Sequence, residues 1–419
     1  MTVVDAFNYV NGCLHAEGVS CAEIARVHGT PTFVYSRAAI ESRYRALDGA
    51  LNGIRHRIFY AVKANSNLAV LNVLARLGAG FDIVSIGELQ RVIKAGGAPS
   101  KVVFSGVGKR ADEMAHALLV GVQCFNVESA EELDALAACA SAAGVRARMS
   151  LRVNPDVDAQ THPYISTGLK CNKFGVAIED ARDLYLRAAS MPSLEVVGVD
   201  CHIGSQLSDP APMLDALRRV LALVDELKTD GVHIAHVDMG GGFGIRYHNE
   251  TPSSPAEFAQ ALAHGLGSRD LELMLEPGRA IVGEAGVLLT RVIYTKHNSE
   301  RSFLIADAAM NDLIRPALYQ GWHPLRRVHE EPDAAAQTWD LVGPVCESAD
   351  FLALERVLPA AAGDLLALEC CGAYGFVMSS NYNSRPRAAE VMVDGKQMHV
   401  VRARERSADL FATESCLPA

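Results

Sequence analysis

Residues 57–64 read Arg-Ile-Phe-Tyr-Ala-Val-Lys-Ala, and this apolar run with a lysine near its end is the stretch that decides the fold. It is the first of eight short apolar runs separated by helix-like segments such as 68–77, 86–95, 130–143 and 213–228. The eight strand candidates are residues 57–64, 81–85, 102–106, 124–129, 147–154, 195–204, 236–243 and 272–279. Eight alternations predict an α/β fold, a (β/α)8 TIM-type barrel. An open doubly wound sheet is the alternative, but the expected GxGxxG turn after the first strand is absent.

The length and spacing of the apolar runs change near residue 284. Apolar runs become shorter and closer together, as at 286–296, 302–306, 365–368 and 390–393, and glycine and proline punctuate them. This pattern predicts a mainly β C-terminal domain over 284–419 after a barrel over 38–283. Residues 32–35 also have the pattern of a strand, so the segment 1–37 either contributes to the β domain, which we favour, or leads into the barrel.

Composition excludes several classes of partner. The chain has 419 residues and a formal net charge of −10, which does not suit a nucleic-acid backbone or an anionic membrane. It has no run of eighteen apolar residues and no basic signal at its start, so we expect no membrane span and no export. The ten cysteines form no CxxC pair or zinc-type cluster. We therefore expect reduced thiols, a cytoplasmic location and no metal.

Polar residues stand out where the predicted barrel strands end, which is where such barrels carry their chemistry. Lys63 is a buried amine able to form a Schiff base, or a lysine that extends its amine into solvent. The run 240–242 is Gly-Gly-Gly, which suits a phosphate or merely a tight turn. Glu276 and Arg279 either serve a cofactor and a carboxylate or pair with each other, and His202 either stacks on a ring or is a core histidine.

The second half of the chain adds further candidates. Cys346 and Glu347 place a thiol beside a carboxylate, which suits a proton donor and a ligand anchor. Tyr374 stands in a loop between glycines, and Arg315 is followed four residues later by Tyr319. Taken singly, each of these residues also has a structural explanation.

Six motifs taken together resemble the fold-type III pyridoxal-phosphate decarboxylases, and within them the diaminopimelate branch. They follow the family's order between residues 30 and 382 and are YAVKAN at 60–65, HIGS at 202–205, GGG at 240–242, EPGR at 276–279, CES at 346–348 and AYG at 373–375. The resemblance implies a barrel joined to a β domain, pyridoxal 5'-phosphate as cofactor, and a head-to-tail homodimer with shared active sites.

The resemblance also implies a role for each candidate residue. Lys63 would carry the cofactor, His202 would stack on its ring, and Glu276 would pair with the ring nitrogen. The phosphate would be held by Ser205, Gly241, Gly242 and Tyr374. The far end of the substrate would be bound by Arg279, Arg315, Tyr319, Glu347 and Tyr374, and Cys346 would return a proton to the α-carbon from the partner subunit. Asp82 lies near the site without an evident role. The sequence does not decide whether the loop around Pro163 and Lys173 closes over the site.

The substrate expected from these charges is meso-2,6-diaminopimelate, decarboxylated to L-lysine in the last step of lysine biosynthesis. Its distal end carries an ammonium and a carboxylate, which two arginines and Glu347 complement. The related diamine decarboxylases usually have Asp where this chain has Glu347. The alternatives are a decarboxylase of ornithine, arginine or carboxynorspermidine, an amino-acid racemase, a non-catalytic carrier of the cofactor, and a metal-dependent aldolase barrel.

Overall fold

The computed structural model describes residues 5–158, 172–331 and 333–418. Pro163, in the loop whose closure the sequence did not decide, falls in 159–171, outside the described residues. The chain divides into two compact units. As far as their residues are described, the first comprises Arg43–Arg246 and Glu250–Ala280, and the second comprises Val3–Ser42, Tyr247–Asn249 and Ile281–Ala419.

The strands of the described chain are short, and most span three to eight residues. In chain order they are β1 Phe7–Val10, β2 Cys13–Ala16, β3 Val19–Ser20, β4 Thr32–Ser36, β5 His56–Ala61, β6 Gly80–Ile83, β7 Val102–Phe104, β8 Cys124–Val127, β9 Ala147–Asn154, β10 Val176–Ala177, β11 Leu194–Asp200, β12 His236–Asp238, β13 Glu272–Leu275, β14 Gly286–His297, β15 Ser302–Ala306, β16 Leu325–Arg327, β17 Gln337–Val342, β18 Phe351–Leu358, β19 Leu365–Leu368, β20 Ala389–Asp394 and β21 Gln397–Arg402.

The α-helices lie mainly between the strands of the first unit. They are α1 Cys21–His28, α2 Arg37–Ala50, α3 Leu68–Arg76, α4 Ile86–Lys94, α5 Ala111–Val120, α6 Ala130–Ala143, α7 Ile178–Ala189, α8 Ala211–Thr229, α9 Pro255–Leu266, α10 Arg279–Val282 and α11 Arg315–Tyr319. Serine caps begin several of them directly after a strand. Ser85 and Ser129 each accept a hydrogen bond from the backbone N–H three residues later, which satisfies an amide at the helix start. The chain therefore turns from strand to helix within a few residues.

The first unit is a closed barrel of eight parallel strands. The order is β9-β11-β12-β13-β5-β6-β7-β8, and β8 pairs with β9 to close the ring. Five of its strands contribute to a cluster of apolar side chains that are at most 4% exposed, namely Phe59, Val103, Cys124, Val197 and Met274. The predicted (β/α)8 barrel is confirmed.

The second unit is mainly β. Its largest sheet runs β18-β17-β15-β14-β4-β20-β21, with β19 pairing with both β14 and β16. Strand β4 lies antiparallel to β14 and parallel to β20, so residues 32–36 are part of this sheet. A smaller sheet contains β1, β2 and β3. The predicted combination of a barrel and a mainly β domain is confirmed.

The expected barrel strands were too long at their C-terminal ends. The run 57–64 is a strand only as far as Ala61, and Val62–Ala64 form a turn of 3-10 helix. In the same way β11 ends at Asp200 and β13 at Leu275. The apolar character continues past each strand because the turns at this end are themselves buried. Lys63 therefore lies just beyond a strand rather than within one.

Candidate active site

Seven of the predicted site residues belong to the barrel unit and follow the C-terminal ends of its strands. Lys63 follows β5, His202 and Ser205 follow β11, Gly241 and Gly242 follow β12, and Glu276 and Arg279 follow β13. Because all eight strands are parallel, these ends meet at one mouth of the barrel. The parallel topology thus brings together residues that lie more than 200 positions apart in the sequence.

Lys63 contacts a carboxylate at this mouth. Its Nζ donates a hydrogen bond of 2.9 Å to Oδ2 of Asp82 in β6. The lysine side chain is 42% exposed, whereas that of Asp82 is fully buried. The other oxygen of Asp82 is buried and has no hydrogen-bond partner among the described residues. The amine is therefore held by a buried anion but stays accessible to a ligand.

A cluster of buried carboxyl groups surrounds the centre of the mouth. Asp200 ends β11, Asp238 ends β12, and Glu276 directly follows β13, so that ligand oxygens of the three lie within 4.8 Å of one another. Burial, reinforced by the neighbouring acids, raises the pKa of Glu276 and of Asp238 well above the usual range, and burial raises that of Asp200 to about 7. Groups with such pKa values hold protons near neutral pH, which makes them poor ligands for a hard cation.

Two cations near this cluster oppose the rise in the pKa of its acids. Arg152 in β9 lies with Nη1 3.3 Å from a Glu128 oxygen and Nε 3.9 Å from Oδ2 of Asp200. The positive charge of Arg152 opposes the rise in the pKa of Asp200, and that of Lys63 opposes the rise in the pKa of Glu276. The mouth of the barrel therefore combines protonated acids with positive charges.

His202 stays neutral in this setting. Burial lowers its pKa well below the usual range, and the charges of Arg152 and Lys63 act in the same direction. A Cβ atom on Gly240 would lie only 2.6 Å from Nδ1 of His202, so the imidazole ring packs directly against the glycine run. A neutral, flat ring at this position suits stacking on a planar cofactor.

The glycine run is required by close backbone packing. A Cβ on Gly241 would lie 2.2 Å from the carbonyl oxygen of Glu276, and one on Gly242 would lie 2.4 Å from that of Gly204. Gly240 and Gly242 also have φ values of 65° and 96°, which favour glycine. The Gly240 N–H donates to Oδ1 of Asp238, and the Glu276 N–H donates to the Gly240 carbonyl. The loop and the acid cluster thus form one unit.

Arg279 and Ser205 contact each other. The guanidinium Nη2 donates a hydrogen bond of 3.1 Å to the Ser205 hydroxyl oxygen. Arg279 is buried and begins the short helix α10. The resemblance implied a phosphate role for Ser205 and a substrate role for Arg279, and in the structure the two side chains form one polar pair.

The remaining predicted residues belong to the second unit. Arg315 and Tyr319 begin and end α11, and the backbone of Tyr374 has a positive φ of 56°. Cys346 and Glu347 are exposed in the turn after β17. The Cys346 N–H donates to Oδ1 of Asn383, a bond of 2.8 Å that orients this turn.

Sequence reasoning missed part of the site. Asp200 and Asp238 were not singled out, although each is the last residue of an apolar strand. Asp82 and Glu276 each lie one residue from the end of a strand. An acid that ends a buried strand is the signal that would have found them, because four strands of one barrel carry it. Arg152, inside β9, has no such signal in the sequence.

These residues fit pyridoxal phosphate. The group needs an amine for its aldehyde, an acid for its ring nitrogen and backbone amides for its phosphate. Lys63 is the accessible amine, Glu276 is a buried acid whose pKa responds to Lys63, and the tight glycine run packs against the Glu276 backbone. Buried carboxylate oxygens without a partner among the described residues, on Asp82 and Asp238, mark the mouth as a place prepared for a ligand.

Among the described residues, none of the helices has the length and apolar character needed to cross a membrane.

Comparison with known proteins identifies the family of the chain. Residues 37–283 match the family model of the pyridoxal-binding domain of pyridoxal-dependent decarboxylases. A diaminopimelate decarboxylase from Pseudomonas aeruginosa is 61% identical over 415 residues, covering 99% of this chain and 100% of the relative. A crystal structure of diaminopimelate decarboxylase from Helicobacter pylori complexed with L-lysine is 43% identical, with a TM-score of 0.91 over 94% of this chain and 98% of that one. One from M. jannaschii, also with L-lysine, is 36% identical with a TM-score of 0.95, over 100% of this chain and 99% of that one. The chain therefore belongs to the diaminopimelate decarboxylase family of pyridoxal-dependent decarboxylases.

Proposed function

We propose that this chain is a pyridoxal-phosphate-dependent carboxy-lyase that converts meso-2,6-diaminopimelate to L-lysine and CO2, the last step of lysine biosynthesis. The observation that carries the proposal is the accessible amine of Lys63 among the buried acids at the barrel mouth. The names of the relatives and the L-lysine in two similar structures support the choice of substrate and product. None of the similar proteins named above is a racemase.

The barrel, which we assign to residues 38–283, would hold the cofactor. When bound, pyridoxal phosphate supplies an electron sink for the pair that remains on the α-carbon after CO2 departs. Lys63 holds the cofactor through Nζ, and Asp82 orients that nitrogen. Glu276 would share the proton of its carboxyl group with the ring nitrogen, and neutral His202 would stack on the ring. The phosphate would be bound by Ser205, Gly241, Gly242 and Tyr374.

The β domain, residues 284–419 with 1–37, would supply the rest of the substrate site. Arg315 with Tyr319, and Arg279 from the barrel, bind the distal carboxylate, because guanidinium groups fork onto carboxylates. Glu347 attracts the distal ammonium, and Cys346 delivers a proton to the α-carbon from its Sγ. Tyr374 contacts both phosphate and substrate. An ornithine or arginine substrate lacks the distal carboxylate, so two arginines would not suit it.

The decisive experiment combines labelling with turnover. Borohydride reduction of the holoenzyme and peptide mapping should find a pyridoxyl group on Lys63. As a control, Lys101→Ala removes an amine that contacts only the Gly78 carbonyl in the described chain, and should leave the label in position. CO2 release should be far faster from meso-2,6-diaminopimelate than from ornithine, arginine or carboxynorspermidine. A label on another lysine, or α-hydrogen exchange without CO2 loss, would reject the proposal.

We further propose a cytoplasmic homodimer in which Cys346 and Glu347 of one copy complete the site of the other. Their exposure in a single chain supports this arrangement. Mixing Lys63→Ala and Cys346→Ala, each inactive alone, should restore activity through mixed dimers with one intact site. Random pairing of two subunits predicts recovery of about a quarter of the wild-type rate. No recovery, with mixed dimers demonstrated by mass spectrometry, would contradict shared sites.

A further inference from the structure

His323 is a completely buried histidine of the second unit, four residues after the end of α11. It was not among the residues selected from the sequence. Its ring bridges two groups, because Nε2 lies 2.8 Å from Nη1 of Arg315 and Nδ1 lies 2.8 Å from the carbonyl oxygen of Glu369. The histidine therefore links the arginine assigned to the substrate with the backbone just after β19.

The two contacts determine the tautomer of the ring. A carbonyl oxygen only accepts hydrogen bonds, so Nδ1 of His323 must carry the proton that it donates to Glu369. A guanidinium only donates, so Nε2 must offer a lone pair to Arg315. The neutral Nδ1–H tautomer satisfies both partners at once. A protonated ring would point a second N–H at the guanidinium and break the contact.

The surroundings hold both side chains in one orientation. Tyr247 packs edge to face against the His323 ring at 5.5 Å between centroids, and the Arg315 guanidinium lies 4.5 Å from the same tyrosine ring. Nη2 of Arg356 donates a hydrogen bond of 3.2 Å to the His323 carbonyl. The Cys371 thiol lies 3.5 Å from Nδ1 and also 3.4 Å from the Glu369 carbonyl. His323 thus has contacts on its ring, on both ring nitrogens and on its backbone carbonyl.

The chemistry of this contact suits a substrate-binding arginine. A carboxylate at the position of His323 would neutralise Arg315, whereas a neutral imidazole orients the guanidinium and leaves its positive charge in place. An arginine side chain loses several rotatable bonds when it binds a ligand, and fixing it beforehand lowers that cost. The position of the histidine is therefore expected to affect affinity for an anion more than the rate of the chemical step.

We propose that His323 is a positioning residue that holds Arg315 in the orientation required to bind the distal carboxylate of the substrate. The inference rests on the proposed function, in which Arg315 binds that carboxylate. It concerns a residue with no expected contact with the substrate. His323 acts through Arg315, so its effect must disappear when that guanidinium is absent.

The test compares His323→Leu with His323→Gln in the holoenzyme. Leucine removes both hydrogen bonds, and the loss of a bond to a charged group corresponds to about tenfold to hundredfold in KM, with kcat within about threefold. Glutamine can accept from Arg315 and donate to Glu369, so its KM should stay within about threefold of the wild type. The control His297→Leu removes an exposed histidine that contacts Ser302, and should change neither parameter.

A second measurement does not depend on turnover. Titration of the holoenzyme with L-lysine, followed by cofactor absorbance, should show affinity weakened by a similar factor in His323→Leu but not in His323→Gln. Because wild-type CO2 release reports separately on the proposed function, a failure of that function is distinguishable from a failure of this inference. In an Arg315→Ala background, His323→Leu should have no further effect on KM or on L-lysine affinity.

Three outcomes would overturn the proposal: wild-type KM and L-lysine affinity in His323→Leu, equal losses in the leucine and glutamine variants, or an undiminished effect without Arg315. If leucine prevents folding, His323→Asn replaces it. Asparagine is polar but too short to reach both partners, so it should raise KM as leucine does, and an unchanged KM in that variant would equally reject the proposal.

Discussion

Asp312 offers a sharp test of the electrostatics of the second unit. It lies in the turn before α11, is only 1% exposed, and accepts a hydrogen bond from the Ala309 N–H through Oδ2. Burial raises its pKa to about 7, against the opposing effects of that N–H and of Arg385. Between the unfolded pKa near 3.8 and the folded one, the folded chain binds a proton that the unfolded chain does not. Stability contributed by the neutral acid is therefore lost as pH rises through this window.

The change Asp312→Asn removes this titration, because an amide is neutral at every pH and its oxygen can still accept from Ala309. One pKa unit corresponds to about 1.4 kcal/mol, so the wild type should lose about 3 kcal/mol between pH 5 and its folded pKa, a loss that the variant escapes. For a unit of this size that difference corresponds to about 6 to 12 °C in melting temperature. The melting temperature of the variant should therefore rise relative to that of the wild type as pH increases.

Calorimetry of both proteins at pH 5 and pH 8 measures the effect. The quantity of interest is the melting temperature of the variant minus that of the wild type, which should be larger at pH 8. Asp333→Asn, at an exposed acid of the same unit, is the matched control and should give the same difference at both pH values. An Asp312→Asn difference independent of pH, or one larger at pH 5, would refute the burial argument.

Three further changes test the barrel. Lys63→Ala should lower CO2 release at least about a thousandfold and abolish cofactor retention after borohydride treatment, measured by absorbance of the desalted protein. Glu276→Gln should lower kcat about a hundredfold or more, since an amide cannot exchange a proton with the ring nitrogen, and should alter the pH dependence of the cofactor spectrum. Gly242→Ala brings a Cβ to 2.4 Å from the Gly204 carbonyl and should weaken cofactor binding, measured by dialysis. Gly231→Ala, with a similar positive φ but open space, is its control and should retain the cofactor.

The sequence predicted the secondary structure well where local patterns decide it. The helix expected at 130–143 and the strands expected at 302–306 and 365–368 agree with α6, β15 and β19 to the residue. Their boundaries are determined by local signals, such as the Ser129 cap and the left-handed Gly144 around α6. The predicted barrel strands extended too far at their C-terminal ends, because the buried turns at the mouth have the same apolar composition as the strands before them.

The sequence predicted individual residues at the barrel mouth but not the contacts between them. Lys63 and Glu276 stand out in apolar surroundings, and the structure brings both to the mouth of the barrel. The pairing of Asp200 with Asp238, and of Arg315 with His323, depends on tertiary packing that no local pattern encodes. Asp82 had no role in the sequence analysis, whereas in the structure it is the partner of Lys63.

The acid cluster explains how a negatively charged chain can accept a phosphorylated cofactor. Four ionised carboxylates at one barrel mouth would repel a phosphate at these distances. Burial raises the pKa of Asp238 and of Glu276 well above the usual range and that of Asp200 to about 7, so the three groups carry less negative charge near neutral pH than ordinary carboxylates would. The positive charges of Lys63 and Arg152 offset those of Asp82 and Glu128, with which they pair. The net charge of −10 is therefore a property of the whole surface and does not describe the pocket.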